Sequence, residues 1–196
     1  MGKKRVFIIH GLGGAPSQGF LGWLEQEIAK KGYFVKSPAM ATPSEPKVEE
    51  WVAHIARLVG NHHADCYLVG YSLGANAVLR YLQTLQKGQT LAGVLFIAPS
   101  LHINGVTPQE REMLAPWVDK KISFDIVKRH MNKSTAIFSD DDPVIPLVDA
   151  RYFKENLDSR VIIEKGKGHF DSAANLPSAL NVMLSYFAKG MGGGTR

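Results

Sequence analysis

Short apolar runs alternate along this chain with longer stretches in which apolar residues recur every three or four positions. The short runs cover residues 5–10, 34–37, 65–70, 92–98, 134–138 and 160–164, and most are closed by Gly, Pro or Asp, which stop a strand. Most lack the two-residue alternation of a sheet with one wet face, so they read as strands covered on both faces of a parallel sheet. In the longer stretches, Phe20, Leu24 and Ile28 share one helical face, and Val48, Trp51, Val52, Ile55, Leu58 and Val59 form a second. Val78, Leu79, Leu82 and Leu85 make a third; Leu176, Leu180, Met183, Leu184 and Phe187 close the series. A shorter helix is expected over residues 147–156. Pro43-Ser44-Glu45-Pro46 reads as a loop feeding a helix whose N-terminus suits Glu49 and Glu50.

Six rounds of strand and helix predict an α/β domain: a doubly wound, mostly parallel six-stranded sheet with helices on both faces. The regular rhythm lapses over residues 99–133, where Pro99, Pro108 and Pro116 interrupt any long period. That insert carries Met113, Leu114, Trp117 and Phe124 and is expected to pack as short helices over an edge of the domain. A chain of 196 residues, 45% of them hydrophobic, suits one core. The expected organisation is a single domain over residues 1–189, with the glycine-rich residues 190–196 as a loose tail.

Composition removes several classes. The apolar fraction argues against disorder, and no run approaches the roughly 18 apolar residues of a membrane span. Only four apolar residues, Val6 to Ile9, follow the basic Met1-Gly2-Lys3-Lys4-Arg5, too few for a signal peptide, so a cytoplasmic location is expected. Cys66 stands alone, which excludes an internal disulfide framework and a paired-cysteine metal site; no metal is expected. The net charge is +5. Its densest basic stretch, Lys120, Lys121, Lys128, Arg129 and Lys133, lacks interleaved stacking aromatics beyond Phe124 and reads as a solvated face, with no nucleic-acid or membrane partner.

The chemistry gathers around Gly70-Tyr71-Ser72-Leu73-Gly74, a Gly-x-Ser-x-Gly pattern. Its setting makes it informative: an apolar strand runs into it and an amphipathic helix runs out. A tight turn there strains the serine backbone, and Gly70 and Gly74 remove side chains where strand and helix approach. Ser72 is then a nucleophile above the carboxyl end of the sheet, with the Leu73 N–H at a helix start aimed at developing negative charge.

A serine hydroxyl needs a base, itself held by an acid. On such an elbow the acid and then the base follow at the ends of later strands. After residues 134–138 come Asp140, Asp141 and Asp142; after residues 160–164 come Gly166, Gly168 and His169. His54, His62 and His63 precede the elbow, His102 and His130 sit in the insert, and His10 ends the first strand, so His169 is the base. Among the aspartates, Asp142 precedes Pro143 and is biased to extended backbone, which makes it the acid, with Asp141 in reserve. A calcium reading of the trio lacks the required spacing.

The first strand ends in His10-Gly11-Leu12-Gly13-Gly14-Ala15-Pro16. Pro16 stands where a dinucleotide fingerprint needs glycine. The loop instead suits a second oxyanion donor, the Leu12 N–H beside that of Leu73, and one such donor is worth about 3 kcal/mol in the transition state. Leu101, Met113 and Trp117 are candidates for the substrate pocket.

Together these residues resemble the α/β-hydrolase superfamily, and within it the small serine hydrolases of the YdeN and retinoblastoma-binding protein nine type. The resemblance rests on the His-Gly start, the Gly-Tyr-Ser-Leu-Gly elbow, Asp-Asp-Pro-x-x-Pro and Gly-His-Phe. Ala41-Thr42-Pro43 through Trp51, and Pro116-Trp117 ahead of Phe124-Asp125, look like its secondary signatures. It covers roughly residues 5 to 188. It implies a compact hydrolase core lacking the superfamily's first two strands, with Ser72, Asp142 and His169 as triad and no cofactor. One departure matters: Cys66 does not stand in a Leu-x-Cys-x-Glu segment, so no pocket-protein partner is carried over. The expected activity is hydrolysis of a small carboxylic ester, with thioester or amide as variants. The alternative is a non-catalytic protein-binding module on a hydrolase scaffold.

Overall fold

The computed structural model describes residues 4–188. All six expected strands form, each within one residue of its expected bounds: β1 (Arg5–Ile9), β2 (Phe34–Lys36), β3 (Cys66–Tyr71), β4 (Gly93–Ile97), β5 (Ser134–Ser139) and β6 (Arg160–Glu164). The helices are α1 (Gly19–Lys30), α2 (Val48–Val59), α3 (Leu73–Leu82), α4 (Pro108–Val118), α5 (Phe124–Lys128), α6 (Asp149–Leu157) and α7 (Pro177–Ala188). The tail expected at 190–196 lies outside the described residues.

Every strand pairing is parallel, in the order β2-β1-β3-β4-β5-β6. The chain winds outward from β1 to β2, then crosses back over β1 to β3 and winds the other way. Right-handed crossovers therefore put α1 on one face with α7 and α2, α3 and α6 on the other. The missing alternation in the strands has its cause here: Val6 to Ile9 and all five residues of β4 are buried, covered by helices above and below. The wetter patterns belong to β2 and β6, the two edges. The reversal of winding falls between β1 and β3, and the crevice outside their carboxyl ends is where such a sheet receives a ligand.

Helix α3 is buried at all ten residues, including two polar ones. Asn76 and Arg80 lie one turn apart, and Arg80 Nε donates to Asn76 Oδ1 at 2.8 Å. The guanidinium also donates to the carbonyls of Trp117 and Lys120, and Asn76 Nδ2 donates to the carbonyls of Ser100 and Trp117. No carboxylate pairs with Arg80 among the described residues. Backbone oxygens of the insert replace its water.

The insert differs from expectation in placement and regularity. It does not cap an edge: the Trp117 indole is buried edge-on against Trp51 of α2, 5.5 Å between centroids, and donates to the Pro46 carbonyl. Two prolines expected to break structure instead sit inside α4. Pro108 occupies its first turn, where no N–H is needed, and Thr107 with Glu110 closes a capping box ahead of it. Pro116 lies in the last turn.

Because Arg80 is itself buried and satisfies two carbonyls of the insert, Arg80→Met should lower stability by roughly 2 kcal/mol in urea unfolding. Arg80→Lys should recover little of it, since an ammonium cannot reproduce the planar fork.

Candidate active site

Between the end of β3 and the start of α3 the turn has a single residue. Ser72 takes φ 52° and ψ −119°, a region L-residues rarely adopt, at a cost of about 1–3 kcal/mol. Its N–H donates to the Ile97 carbonyl at 2.9 Å, and its own carbonyl accepts from Ala75 N–H at 3.0 Å. The flanking glycines are a matter of space. A Cβ on Gly74 would lie 2.3 Å from the Ile9 oxygen, and one on Gly70 would lie 2.5 Å from Ala75 Cα.

The structure brings together Ser72, His169 and Asp142. Ser72 Oγ lies 2.9 Å from His169 Nε2, and His169 Nδ1 lies 2.9 and 3.1 Å from the two oxygens of Asp142. The Asp142 side chain is 2% exposed and that of His169 11%. Asp142 Oδ1 also accepts the N–H groups of Val144 and Ile145, so the buried carboxylate has three donors. Since a carboxylate only accepts, the proton of neutral His169 sits on Nδ1, leaving Nε2 to accept from the serine hydroxyl.

The neighbouring aspartates do different work. Asp140 accepts from Gly166 N–H at 2.9 Å, and Asp141 accepts from Gly168 N–H at 2.8 Å and from the Ser139 hydroxyl. Those bonds, the Ser139 hydroxyl first, hold the Asp141 carboxyl below the usual carboxylate range. Ser139 Oγ in turn accepts from Lys167 N–H. The segment before His169 is thus clamped at three successive backbone N–H groups, those of Gly166, Lys167 and Gly168, with both glycines at positive φ.

Sequence reasoning missed one pair. Tyr71 Oη lies 2.7 Å from the His169 carbonyl oxygen and 2.5 Å from Asp171 Oδ1, and its ring is 5.4 Å from the imidazole. Burial first, then the Asp171 carboxylate, pushes the phenol far up, so it stays protonated and braces the His169 backbone. The signal was the tyrosine inside the pentapeptide; its partner lies 100 positions away.

At the end of β1, Gly11 passes so near Ser72 that a Cβ there would meet Ser72 Cβ at 3.0 Å. His10 is buried, with Nδ1 donating to the Gly11 carbonyl at 2.9 Å and Nε2 accepting from Met40 N–H at 3.2 Å. The Gly11 carbonyl and the Leu12 N–H belong to one planar trans peptide and point oppositely, so fixing the oxygen aims the N–H. Neither the Leu12 nor the Leu73 N–H donates to a protein acceptor among the described residues.

A cavity of about 280 Å³ opens beside Ser72 and His169. The insert lines it, as expected, but through other residues. Glu110, Leu114 and Val118 of α4 face it at four-residue spacing, with Ile103 and Val106 from the preceding loop. Leu101, Met113 and Trp117 are not in its lining: Met113 faces a cleft against Pro46 and Val48, while Leu101 and Trp117 line a separate cavity. One residue of helical phase separates Met113 and Trp117 from Leu114 and Val118. Among the described residues, no cluster of His, Cys, Asp or Glu could hold a metal, and no helix is long and apolar enough to cross a membrane.

A parallel sheet with a left-handed serine at its switch point, and an imidazole and a carboxylate brought back from later strands, defines the α/β-hydrolase class. The chain belongs to the Serine hydrolase family, whose profile matches residues 6–183. It is 25% identical over 195 residues to the YdeN protein of Bacillus subtilis (strain 168), covering 95% of this chain and 97% of that one. The crystal structure of the B. subtilis ydeN gene product superposes with a TM-score of 0.83 at 25% identity, over 94% of this chain and 99% of that one. The monoacylglycerol lipase of Paleococcus ferrophilus shares the fold, with a TM-score of 0.65 at 19% identity over 93% and 94% of the two chains.

The site also carries a pH dependence. Burial lowers the pKa of His10 from 6.5, outweighing the opposing Gly11 hydrogen bond. Between the folded and unfolded values the unfolded chain binds the proton and the native one does not, so stability is lost as pH falls below about 6.5. Protonation would also remove the acceptor for Met40 N–H. Melting temperature measured from pH 8 to 5 should therefore fall less steeply for His10→Gln than for the unsubstituted protein.

Proposed function

We propose that this hydrolase cleaves small carboxylic esters, with thioesters or amides as chemical variants, through an acyl-enzyme on Ser72. The observation that carries the reading is the continuous hydrogen-bond chain from Asp142 through His169 to a serine held in a strained one-residue turn.

His169 Nε2 takes the Ser72 proton as Oγ bonds to the ester carbonyl carbon. The carbonyl oxygen becomes an oxyanion facing the N–H groups of Leu12 and Leu73. The imidazolium, held by ionised Asp142, gives its proton to the leaving alkoxide as the C–O bond breaks, and the alcohol departs. Water then adds to the acyl carbon, with His169 again taking a proton and returning it to Ser72 Oγ as the acid leaves. Asp142 stays charged throughout.

The cavity supports a small acyl group. At about 280 Å³ it lies at the lower end of ligand pockets, and Ile103, Val106, Leu114 and Val144 give it apolar walls.

A fluorophosphonate should label the protein stoichiometrically, and Ser72→Ala should abolish the label. Folded protein that takes no label would leave a binding module on a hydrolase scaffold. Against p-nitrophenyl esters of graded length, Asp142→Asn should lower kcat on the order of 10⁴-fold by upsetting the imidazole tautomer. Asp141→Asn should cost far less, since that carboxylate touches the loop and not the ring. Losing Ser72 or His169 singly should cost about as much as losing both.

A further inference from the structure

The cavity that holds Leu101 and Trp117 has a chemistry unlike that beside Ser72. It measures about 230 Å³ and lies among α3, α4, α5 and α6. Its walls are aromatic: Trp117, and Phe124 stacked with Tyr152 at 6.5 Å and 25°. Two exposed lysines, Lys120 and Lys121, are in its lining, and no acidic residue is.

Among the described residues neither Lys120 nor Lys121 has a carboxylate within ion-pair distance, whereas nearby Lys128 is paired with Asp158. His102, also in the lining, is hydrogen-bonded to the fully buried Asp149, whose carboxylate accepts both the His102 backbone N–H at 3.0 Å and the ring at 2.6 Å. Two lysines outside any ion pair among the described residues therefore line a cavity with an apolar floor. The Ser72 cavity is the reverse: Glu110 and Asp171 line it, and no lysine or arginine does. Val118 lines both cavities, so the two share a wall.

We propose that this second cavity binds an amphipathic organic monocarboxylate, its apolar body against Trp117, Phe124 and Tyr152 and its carboxylate between Lys120 and Lys121. An aromatic pocket alone would accept a neutral apolar molecule equally well; the unpaired lysines select the anion. Binding requires no hydrolysis at Ser72. The acid that ester cleavage would release belongs to the same chemical class, and Val118 would carry the effect of its occupancy to the Ser72 cavity.

The test uses octanoate, with octanol as the neutral probe, titrated into isotopically labelled full-length protein at low salt and followed by amide NMR. The expected result is saturable octanoate binding with shifts centred on Lys121, Ile122 and Tyr152. The lysine pair is exposed, so the Lys120→Gln, Lys121→Gln double variant should melt as the unsubstituted protein does. In it the octanoate dissociation constant should rise about tenfold while octanol binding stays as it was. Shifts centred on Ile103, Val106 and Val144, an unchanged octanoate affinity in the double variant, or no saturation in the millimolar range would each overturn the proposal. A protein that hydrolyses no ester yet gives the expected titration would sink the proposed function and leave this site standing.

Discussion

The molecule depends on one close approach of backbone to backbone, where the start of α3 meets the end of β1. Gly74 faces the Ile9 and His10 carbonyls at distances no Cβ could tolerate, and Gly11 lies where a Cβ would press on Ser72 Cβ at 3.0 Å. That contact fixes three things at once. It forces the one-residue turn that lifts Ser72 out of the sheet, it sets the Leu73 N–H at the first turn of a helix, and it brings the Leu12 N–H alongside. The Ser72 hydroxyl and two backbone N–H groups are therefore placed by one structural event. The strain at Ser72 persists because the sheet on one side and the fully buried α3 on the other leave the backbone no alternative.

The opposite side of the site is built from less rigid parts and is held by hydrogen bonds. The ladder between β5 and β6 continues one step beyond the strands, Asp140 N–H to the Glu164 carbonyl at 3.0 Å, and there the three aspartates begin. Two of them bind backbone N–H groups of the opposing loop. Only Asp142 reaches the imidazole, and only Asp142 is turned inward, where three donors offset the cost of burying its charge. A run of identical residues has thus been divided by geometry into two loop anchors and one ring anchor. Tyr71 completes the frame by tying the His169 backbone to β3, the strand that leads into Ser72.

How far this was legible from the chain depends on how local each signal is. Central strands read clearly because burial on both faces leaves runs such as Val6 to Ile9 with no polar interruption. The order of Ser72, Asp142 and His169 read clearly because each follows a strand. The pocket did not. Whether Leu114 or Met113 faces the cavity depends on the rotation of α4 about its axis, and that is set by the distant packing of Trp117 on Trp51 and by Arg80 beneath it. The start of α4 was written in Thr107-Pro108 and Glu110, but prolines weighed as breakers hid a capping box. The pairs Tyr71 with Asp171 and His102 with Asp149 are tertiary and leave no local pattern at all.

Charge placement gives the proposed chemistry a direction. The chain carries a net +5, yet the two charged side chains lining the Ser72 cavity beyond the imidazole and its partner are the carboxylates of Glu110 and Asp171. Glu110 is firmly ionised, because the Thr107 N–H and then its hydroxyl hold its carboxyl below the usual range. A neutral ester meets no Coulombic penalty on entering such a cavity. The acid it yields loses its proton near neutral pH and then faces like charge, about 1 kcal/mol at 4 Å even in full solvent. Under the proposed reaction that asymmetry favours departure of the product over its rebinding. The positive surface a few residues along the same insert, at Lys120 and Lys121, is where the proposed second site would receive such an anion.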